Sequence, residues 1–446
     1  MNILSTKIEN GNVVVGIVGL GYVGLPLAIE FSKKFKVVGY DVNKNTVKNL
    51  LGGKSHIQDI SDAEISSKII TSFYPTSNPE ELSKCDFIII CVPTPLSAEN
   101  EPDLKYITSA CTSIEKILKK GQFVILESTT YPGTTEETVL PILESSGLKV
   151  IEDFGLAYSP ERIDPGNIQY TVSNTPKVVG GINKECTEIA SKLYGSIIEK
   201  IVTVTDPKTA EAVKIVENIF RNVNIALANE LALIFEKMNI DTWEVMDAAS
   251  TKPYGFMPFY PGPGIGGHCI PLDPFYMSYK AKKYGFIPRF IETSGEINNF
   301  MRVHAVNLVE KGLKKANKKV YGSNVSVMGL SYKKDIDDTR ESPSKKIIEE
   351  LVSLGVNIKV YDPYAESIRT NVGVFNSEKS LENAFYNADG VIFVTDHSMF
   401  KEVNIRESAK LMESPVIIDC KNLFSDTDGI IYLGIGKNNN YNHVVK

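Results

Sequence analysis

Gly19-Leu20-Gly21-Tyr22-Val23-Gly24 directly follows the apolar run at 13–18 and directly precedes a helical pattern at 25–33. Strand, glycine loop and helix in that order form the opening of a dinucleotide-binding βαβ unit. Gly19 permits the tight turn, Gly21 lets backbone approach a pyrophosphate, and Gly24 lets helix and strand pack closely. The backbone N–H groups of Tyr22, Val23 and Gly24, at the helix start, then face the phosphates. Asp41 ends the next apolar run, 36–40, 17 residues after Gly24. Its carboxylate can accept hydrogen bonds from an adenosine ribose and would repel a 2′-phosphate, which favours NAD over NADP. Lys44 is the one nearby cation that works in the other direction.

Moving outward, the first third alternates short β-type runs (13–18, 36–40, 87–92, 123–127, 149–151) with helical patterns (25–33, 45–51, 104–119, 134–146). Such alternation predicts a parallel sheet with crossover helices. Asp206 and Pro207 then read as an N-cap and first-turn proline. No Gly or Pro interrupts the chain from there to Met238, and Val213, Val216, Phe220, Val223, Leu227, Leu231 and Ile234 recur at spacings of three and four. This predicts a long helix with one apolar face, suited to connecting two domains or to a dimer interface. Further helices are expected at 242–249 and 296–316. The last third repeats the α/β alternation, with strands at 325–328, 357–361, 391–395 and 416–419 and a capped helix opening at Ser342-Pro343. The expected fold is α/β: two doubly wound Rossmann-like domains joined by a long central helix and a small helical domain. The boundaries read as 1–205 for the NAD-binding domain, 206–318 for the central helical domain with the catalytic loop, and 319–446 for a C-terminal ligand-binding domain. The polar, Asn-rich tail after Gly434 is expected to be loosely ordered.

Composition narrows the function. The 446 residues are 43% hydrophobic and 23% charged, with a formal net charge of −6. That is ordinary for a globular protein and offers no electrostatic footprint for nucleic acid or anionic membrane. No apolar run approaches the roughly 18 residues of a membrane span. The first dozen residues lack a signal-peptide pattern. Six scattered cysteines without a CxxC pair argue against a disulfide framework or a structural zinc site, so a reduced cytoplasmic protein is expected.

One cysteine stands apart. Phe259-Tyr260-Pro261-Gly262-Pro263-Gly264-Ile265-Gly266-Gly267-His268-Cys269-Ile270-Pro271-Leu272-Asp273 holds four glycines and three prolines. These force an irregular backbone, and a cysteine near its end, four residues before an aspartate, is a candidate nucleophile. His268 invites a metal reading, but none of the five histidines has a ligand spacing, so no metal is expected.

These residues carry a family resemblance. The chain resembles the UDP-glucose/GDP-mannose dehydrogenases over nearly its full length. The resemblance rests on Gly19–Gly24, Pro93-Thr94-Pro95, Glu127-Ser128-Thr129, Ser159-Pro160-Glu161, Lys214 with Asn218, Gly266-Gly267-His268-Cys269, and Gly329-Leu330-Ser331-Tyr332-Lys333 through Asp338-Thr339-Arg340-Glu341-Ser342. It implies NAD-dependent oxidation of the C6 alcohol of a nucleotide sugar to a carboxylate. Two hydrides must leave one carbon, and the second can leave only from a tetrahedral adduct, for which a thiolate is the best nucleophile. Cys269 would form that adduct. Lys214 would favour the thiolate and the developing oxyanion, Asn218 would add a hydrogen bond one helical turn away, and Asp273 would act as base. The resemblance further implies that Glu161 and Thr129 order water and the nicotinamide side. It implies that Thr94 and Arg340 contribute to the cofactor, with Arg340 reaching towards phosphate. Arg162, Tyr260, Gly266, Gly267 and Lys333 would contact substrate, with Glu161, Lys214 and Asn218.

Within the family, His268 before the cysteine, Pro258–Gly264, Tyr158–Arg162 and Glu127–Gly133 are most similar to UDP-N-acetylglucosamine 6-dehydrogenases. UDP-N-acetylmannosamine and UDP-glucose 6-dehydrogenases are the alternatives. Lys252-Pro253-Tyr254-Gly255-Phe256 departs from the basic residues usual before the glycine loop in UDP-glucose dehydrogenases. Outside the family, a two-electron hydroxyacid dehydrogenase or an NAD-sensing interaction protein could share the fold. A homodimer is expected from the long helix.

Overall fold

The apolar runs beside the glycine motif become the centre of a parallel sheet. The structure is a computed structural model and describes residues 2–57, 60–69, 71–97, 101–164, 167, 169–267, 269–425 and 427–438. The chain divides into two compact units, Met1–Glu217 with Leu272–Ile287, and Asn218–Pro271 with Pro288–Lys446.

The first unit contains β1 (Val14–Val18), β2 (Lys36–Tyr40), β3 (Phe73–Thr76), β4 (Phe87–Ile90), β5 (Phe123–Leu126), β6 (Gly155–Tyr158), β7 (Lys177–Gly181) and β8 (Ile201–Thr203). They form one sheet in the order β3-β2-β1-β4-β5-β6-β7-β8. All neighbours pair in parallel except β6 and β7. The strand order reverses beside β1, so the loops after β1 and β4 flank the crevice where doubly wound sheets bind ligands. Phe87, Ile88, Ile89 and Ile90 are all fully buried, because a central parallel strand is covered on both faces. One face packs against Leu27, Phe31 and Tyr194, the other against Ile107, Ile114 and Leu143.

The second unit contains β9 (Asn324–Met328), β10 (Asn357–Tyr361), β11 (Ser367–Thr370), β12 (Gly373–Asn376), β13 (Gly390–Phe393), β14 (Val416–Asp419) and β15 (Ile431–Gly434). Five of these form a parallel sheet, β10-β9-β13-β14-β15, while β11 and β12 make a separate hairpin. Ser342 caps the helix Pro343–Ser353 through the Ser344 N–H, as expected. The helix Arg289–Lys315 packs on this sheet through Val309 and Leu313.

The long helix is Pro207–Met238, and Asp206 accepts from the Thr209 N–H at 2.7 Å as its N-cap. Its buried side differs from its most apolar one. Ala210, Ile215, Asn218, Asn222, Asn229 and Ala232 are buried, whereas Val216, Phe220, Leu227 and Ile234 are exposed. Among the described residues no helix is long and apolar enough to cross a membrane.

One expectation is corrected. Residues 149–151 form a turn rather than a strand. Ile151 has φ 73° and Val150 makes only an isolated bridge to Phe154. The place beside β5 is taken by β6 instead, whose four residues are all buried. Of the tail after Gly434, the start is held, since Trp243 Nε1 donates to the Ile435 carbonyl, Gly436 N–H to Glu236, and Lys437 pairs with Asp241; the expectation of loose order for residues 439–446 lies outside the described residues.

Phe123 is fully buried with its ring 5.4 Å from that of Phe87. Phe123→Ala is expected to destabilise the first unit by about 3–5 kcal/mol, measured by urea denaturation followed by circular dichroism.

Candidate active site

The glycine loop has the shape its sequence implies. A Cβ on Gly24 would lie 1.8 Å from the Gly19 carbonyl oxygen, so only glycine lets the helix Gly24–Phe31 start this close to β1. Around Gly21 a Cβ would meet nothing within 4 Å, which leaves room for a ligand to approach the backbone. Asp41, at the end of β2, accepts from the Leu20 N–H at 2.9 Å and from the Asn43 N–H at 2.8 Å. The expected acid is therefore fixed beside the expected phosphate loop, and the residues fit a dinucleotide. Tyr22 is partly exposed at the helix start, with Val23 and Gly24 following. On the far side of the switch point, Thr94 Oγ1 donates to the Thr129 carbonyl at 2.7 Å, and Tyr276 donates to the Thr94 carbonyl.

Glu161 lies in a buried ionic cluster of the first unit. Lys177 pairs with Glu127 and lies 3.6 Å from Glu161; Tyr194 donates to Glu127 at 2.6 Å. Burial pushes the Glu127 carboxyl up to about 7, against the pull of Lys177. Burial also opposes ionisation of Glu161. There the Lys177 ammonium, the Ile163 N–H and the charge of Lys214 prevail and hold the carboxyl below its usual range. Arg162 turns away from Glu161: it donates to the Pro176 carbonyl at 2.8 Å and pairs with Glu217. Lys214 is half-buried on the long helix, and Asp273 is buried in the first turn of the helix Asp273–Lys283. Glu127 and Lys177 were not singled out from the sequence. Glu127 sits within a quoted motif, but Lys177 opens a strand that the patterning does not mark.

In the second unit, Cys269 is exposed while the other five cysteines of the chain are buried. His268 lies outside the described residues. Gly267 has φ 86°, and a Cβ there would come within 2.9 Å of the Tyr332 ring. Gly266 is equally tight against Tyr332 and Pro343. The cysteine loop is thus seated on the loop that follows β9. Tyr260 stacks on Trp243 at 5.3 Å and donates to Asp247 at 2.6 Å. Asn218 is buried on the long helix. Arg340 is exposed and makes a two-point pair with Asp338 at 2.9 and 2.7 Å.

The loop after β9 carries Lys333 and is clamped by two groups the sequence did not reveal. Asp362, just past β10, accepts from the Leu330 N–H (2.6 Å), the Ser331 N–H (3.0 Å) and His397 Nε2 (2.9 Å). The fully buried His397 in turn accepts at Nδ1 from the Asp335 N–H at 2.9 Å. Both ring nitrogens are used, and the tautomer with hydrogen on Nε2 satisfies each bond. Burial opposes ionisation of Asp362. The His397 bond, and the Ala365 and Tyr364 N–H groups, outweigh it and hold the carboxyl below the ordinary 3.8.

A carboxyl depressed in the folded state stabilises the fold above its unfolded pKa, and this is lost as pH falls through the folded value. Asp362→Asn is therefore expected to cost about 2 kcal/mol at neutral pH. The gap from wild type should narrow below pH 3.8, read from urea denaturation across a pH series. A gap independent of pH would mean that Asp362 is not ionised in the fold.

Known proteins match this chain over most of its length. Three models of the UDP-glucose/GDP-mannose dehydrogenase family match: the NAD binding domain at residues 13–198, the central domain at 208–300 and the UDP binding domain at 326–426. The chain is 41% identical over 417 residues to the UDP-N-acetyl-D-glucosamine 6-dehydrogenase of Pseudomonas aeruginosa, covering 92% of this chain and 97% of that one. It is 36% identical over 431 residues to the UDP-N-acetyl-D-mannosamine dehydrogenase of Pyrococcus horikoshii, covering 95% and 99%. The solved structure of UDP-D-ManNAc dehydrogenase from Pyrococcus horikoshii superposes with a TM-score of 0.89 at 36% identity, covering 96% of this chain and 100% of that one. The chain belongs to the UDP-glucose/GDP-mannose dehydrogenase family and is an NAD-dependent oxidoreductase acting on a nucleotide sugar.

Proposed function

We propose that the protein oxidises the C6 alcohol of UDP-N-acetylglucosamine to the uronate in two two-electron steps, through a thioester on Cys269. The observation that carries the covalent route is the single exposed thiol, at the end of a glycine- and proline-rich loop, in a chain that also has an NAD loop. NAD, when bound, supplies the hydride acceptor, and two are consumed per sugar. Asp273 removes the C6 hydroxyl proton as the first hydride leaves. The Cys269 thiolate adds to the resulting aldehyde, and Lys214 and Asn218 stabilise the oxyanion of the thiohemiacetal. Loss of the second hydride gives the thioester. Water, ordered by Thr129 and Glu161, cleaves it and frees the thiolate. In sum, alcohol, two NAD and one water give acid, two NADH and their protons. A carboxylate held ionised against burial by its partners, as Glu161 is, accepts hydrogen bonds from that water and suits the ordering role.

In the same proposal, Gly19, Gly21, Tyr22, Val23, Gly24, Asp41, Thr94, Thr129 and Arg340 hold the cofactor. Glu161, Arg162, Lys214, Asn218, Tyr260, Gly266, Gly267 and Lys333 hold the UDP-sugar. The domains are 1–205, 206–318 and 319–446, a division that the three family matches support. The exposed Phe220, Leu227 and Ile234 support a homodimer built on the long helix. A reactive exposed thiol suits a reducing compartment, and we propose the cytoplasm.

The choice of sugar is supported by the Pseudomonas relative at 41% identity. UDP-N-acetylmannosamine is the second reading, favoured by the relative named for it at 36% identity over 95% of the chain. Steady-state assays with UDP-GlcNAc, UDP-ManNAc and UDP-glucose should give the highest kcat/KM for UDP-GlcNAc, with two NADH per sugar. Higher kcat/KM for either other sugar would overturn the substrate assignment. Cys269→Ser should form uronate at least about a thousandfold more slowly. Unchanged acid formation in that variant would overturn the thioester route.

A further inference from the structure

A loop built from glycine and proline has few ladder bonds of its own, so its backbone groups must find partners elsewhere. The cysteine loop finds them in a chain of buried amides. The Gly262 N–H donates to Asn229 Oδ1 at 2.9 Å, and Asn229 Nδ2 donates to Asn298 Oδ1 at 2.9 Å. Asn298 Nδ2 donates to the Asn222 carbonyl at 3.1 Å. Asn222 Nδ2 then donates to the carbonyl of Ile270, the residue after Cys269, at 3.0 Å. The Ile270 carbonyl can only accept, which fixes the orientation of the Asn222 amide and leaves its Oδ1 2.7 Å from Ser294 Oγ. Each amide in the chain has one orientation that satisfies every bond.

All four side chains lie in the interior, with Asn229 at 0%, Asn222 at 2%, Ser294 at 3% and Asn298 at 4% exposure. Asn222 and Asn229 come from the long helix, Ser294 and Asn298 from the helix Arg289–Lys315. Arg302 of the second helix adds a bond from Nη2 to the Ile265 carbonyl at 3.2 Å. The loop is therefore tied at Gly262, Ile265 and Ile270, on both sides of the thiol. Asn222 stands one helical turn beyond Asn218 and two beyond Lys214, on the same helix face. One helix thus carries the proposed oxyanion donors and the group that fixes the backbone next to the nucleophile.

We propose that Asn222 is a positioning residue for Cys269, acting through the Ile270 carbonyl and held in register by Ser294, Asn298 and Asn229. Its side chain is buried and bonded to protein groups. It sets where the sulfur stands, which matters because displacing a reacting atom by about 1 Å can cost two orders of magnitude in rate. This inference rests on the thioester route above and adds to it the source of the loop's rigidity.

The test uses the full chain with UDP-GlcNAc and NAD, and iodoacetamide as a probe of the thiol. Cys269 should be the site of rapid alkylation because the other five cysteines are buried. Asn222→Ala should lower kcat by about tenfold or more, with KM for NAD within about twofold of wild type. Its Cys269 alkylation rate should shift by about threefold or more. Ser294→Ala, a smaller change that keeps the amide, should move kcat in the same direction by about threefold. Adding it to Asn222→Ala should cost little more, since both act through one bond. A fall in thermal stability with kcat and alkylation rate unchanged would assign Asn222 a structural role only and overturn the proposal. If Asn222→Ala does not fold, an unchanged kcat in Ser294→Ala overturns it. Should Cys269→Ser retain acid formation, the thioester route fails, while the alkylation rates still report whether Asn222 positions the thiol.

Discussion

A carboxylate at the end of one strand grips the backbone of the loop leaving its neighbour, and this happens twice in the molecule. In the first unit the Gly19 N–H donates to the Tyr40 carbonyl at 2.8 Å and the Leu20 N–H to Asp41 at 2.9 Å. In the second unit the Gly329 N–H donates to the Tyr361 carbonyl at 2.9 Å and the Leu330 N–H to Asp362 at 2.6 Å. A ligand-binding loop must keep N–H groups facing outwards, and so cannot spend all of them on itself. Asp41 satisfies the Leu20 N–H beside the open space at Gly21, whereas Asp362 takes both the Leu330 and Ser331 N–H groups. The two grips differ in surroundings. Asp41 is half-buried and adjoins the open space around Gly21, so it can also meet a ribose. The Asp362 carboxylate is fully buried and bonded to His397, so it is committed to the protein.

The buried charges follow the same logic of holding a group in one protonation state and one place. Isolated carboxylates in an apolar interior cost several kcal/mol each. Glu127 and Glu161 share Lys177, with Tyr194 as a further donor. Two acids and one cation cannot be balanced equally. Burial and the neighbouring acid raise Glu127, while backbone N–H donors favour the charged form of Glu161. The negative charge is directed to the member whose carboxylate is also influenced by Lys214. Glu211 is a further buried acid: it accepts from the Gly133 and Thr135 N–H groups and ties the start of the long helix to the loop after β5.

Where one periodic signal dominated, the sequence was readable. The glycine loop, β2 with Asp41, and the 32-residue helix from Pro207 all emerged close to their expected limits. Short strands without alternation were not. β3 contains a proline, β6 reads Gly-Leu-Ala-Tyr, and β7 begins at a lysine. Their identity comes from the sheet that receives them rather than from their own pattern. The long helix misled in a subtler way. Its most apolar residues stay exposed, and its buried face is built from alanines and asparagines that find partners only in the folded structure. Asn222 and His397 were missed for that reason. A polar residue on a buried face has no signature until the groups it bonds are brought to it from distant sequence.

On the proposed thioester route, rigidity at the thiol would have a plain chemical reason. In that proposal the same sulfur would approach an sp2 carbon from one side, remain bonded while hydride leaves, and then depart when water attacks. Backbone freedom at that residue would have to be restrained anew in each step. Proline removes part of it in advance, at Pro261, Pro263 and Pro271. Glycine does the reverse, adding freedom that close approach to Tyr332 and Pro343 requires. Hydrogen bonds from outside the loop can reconcile the two, because they restrain glycine backbone without adding bulk. A buried amide suits this task better than a charge. It donates and accepts at once, so a chain of amides can cross an apolar interior without a net charge to solvate. The three asparagines link Gly262 to Ile270 in that way, and in our proposal this makes the loop a fixed arm for its sulfur.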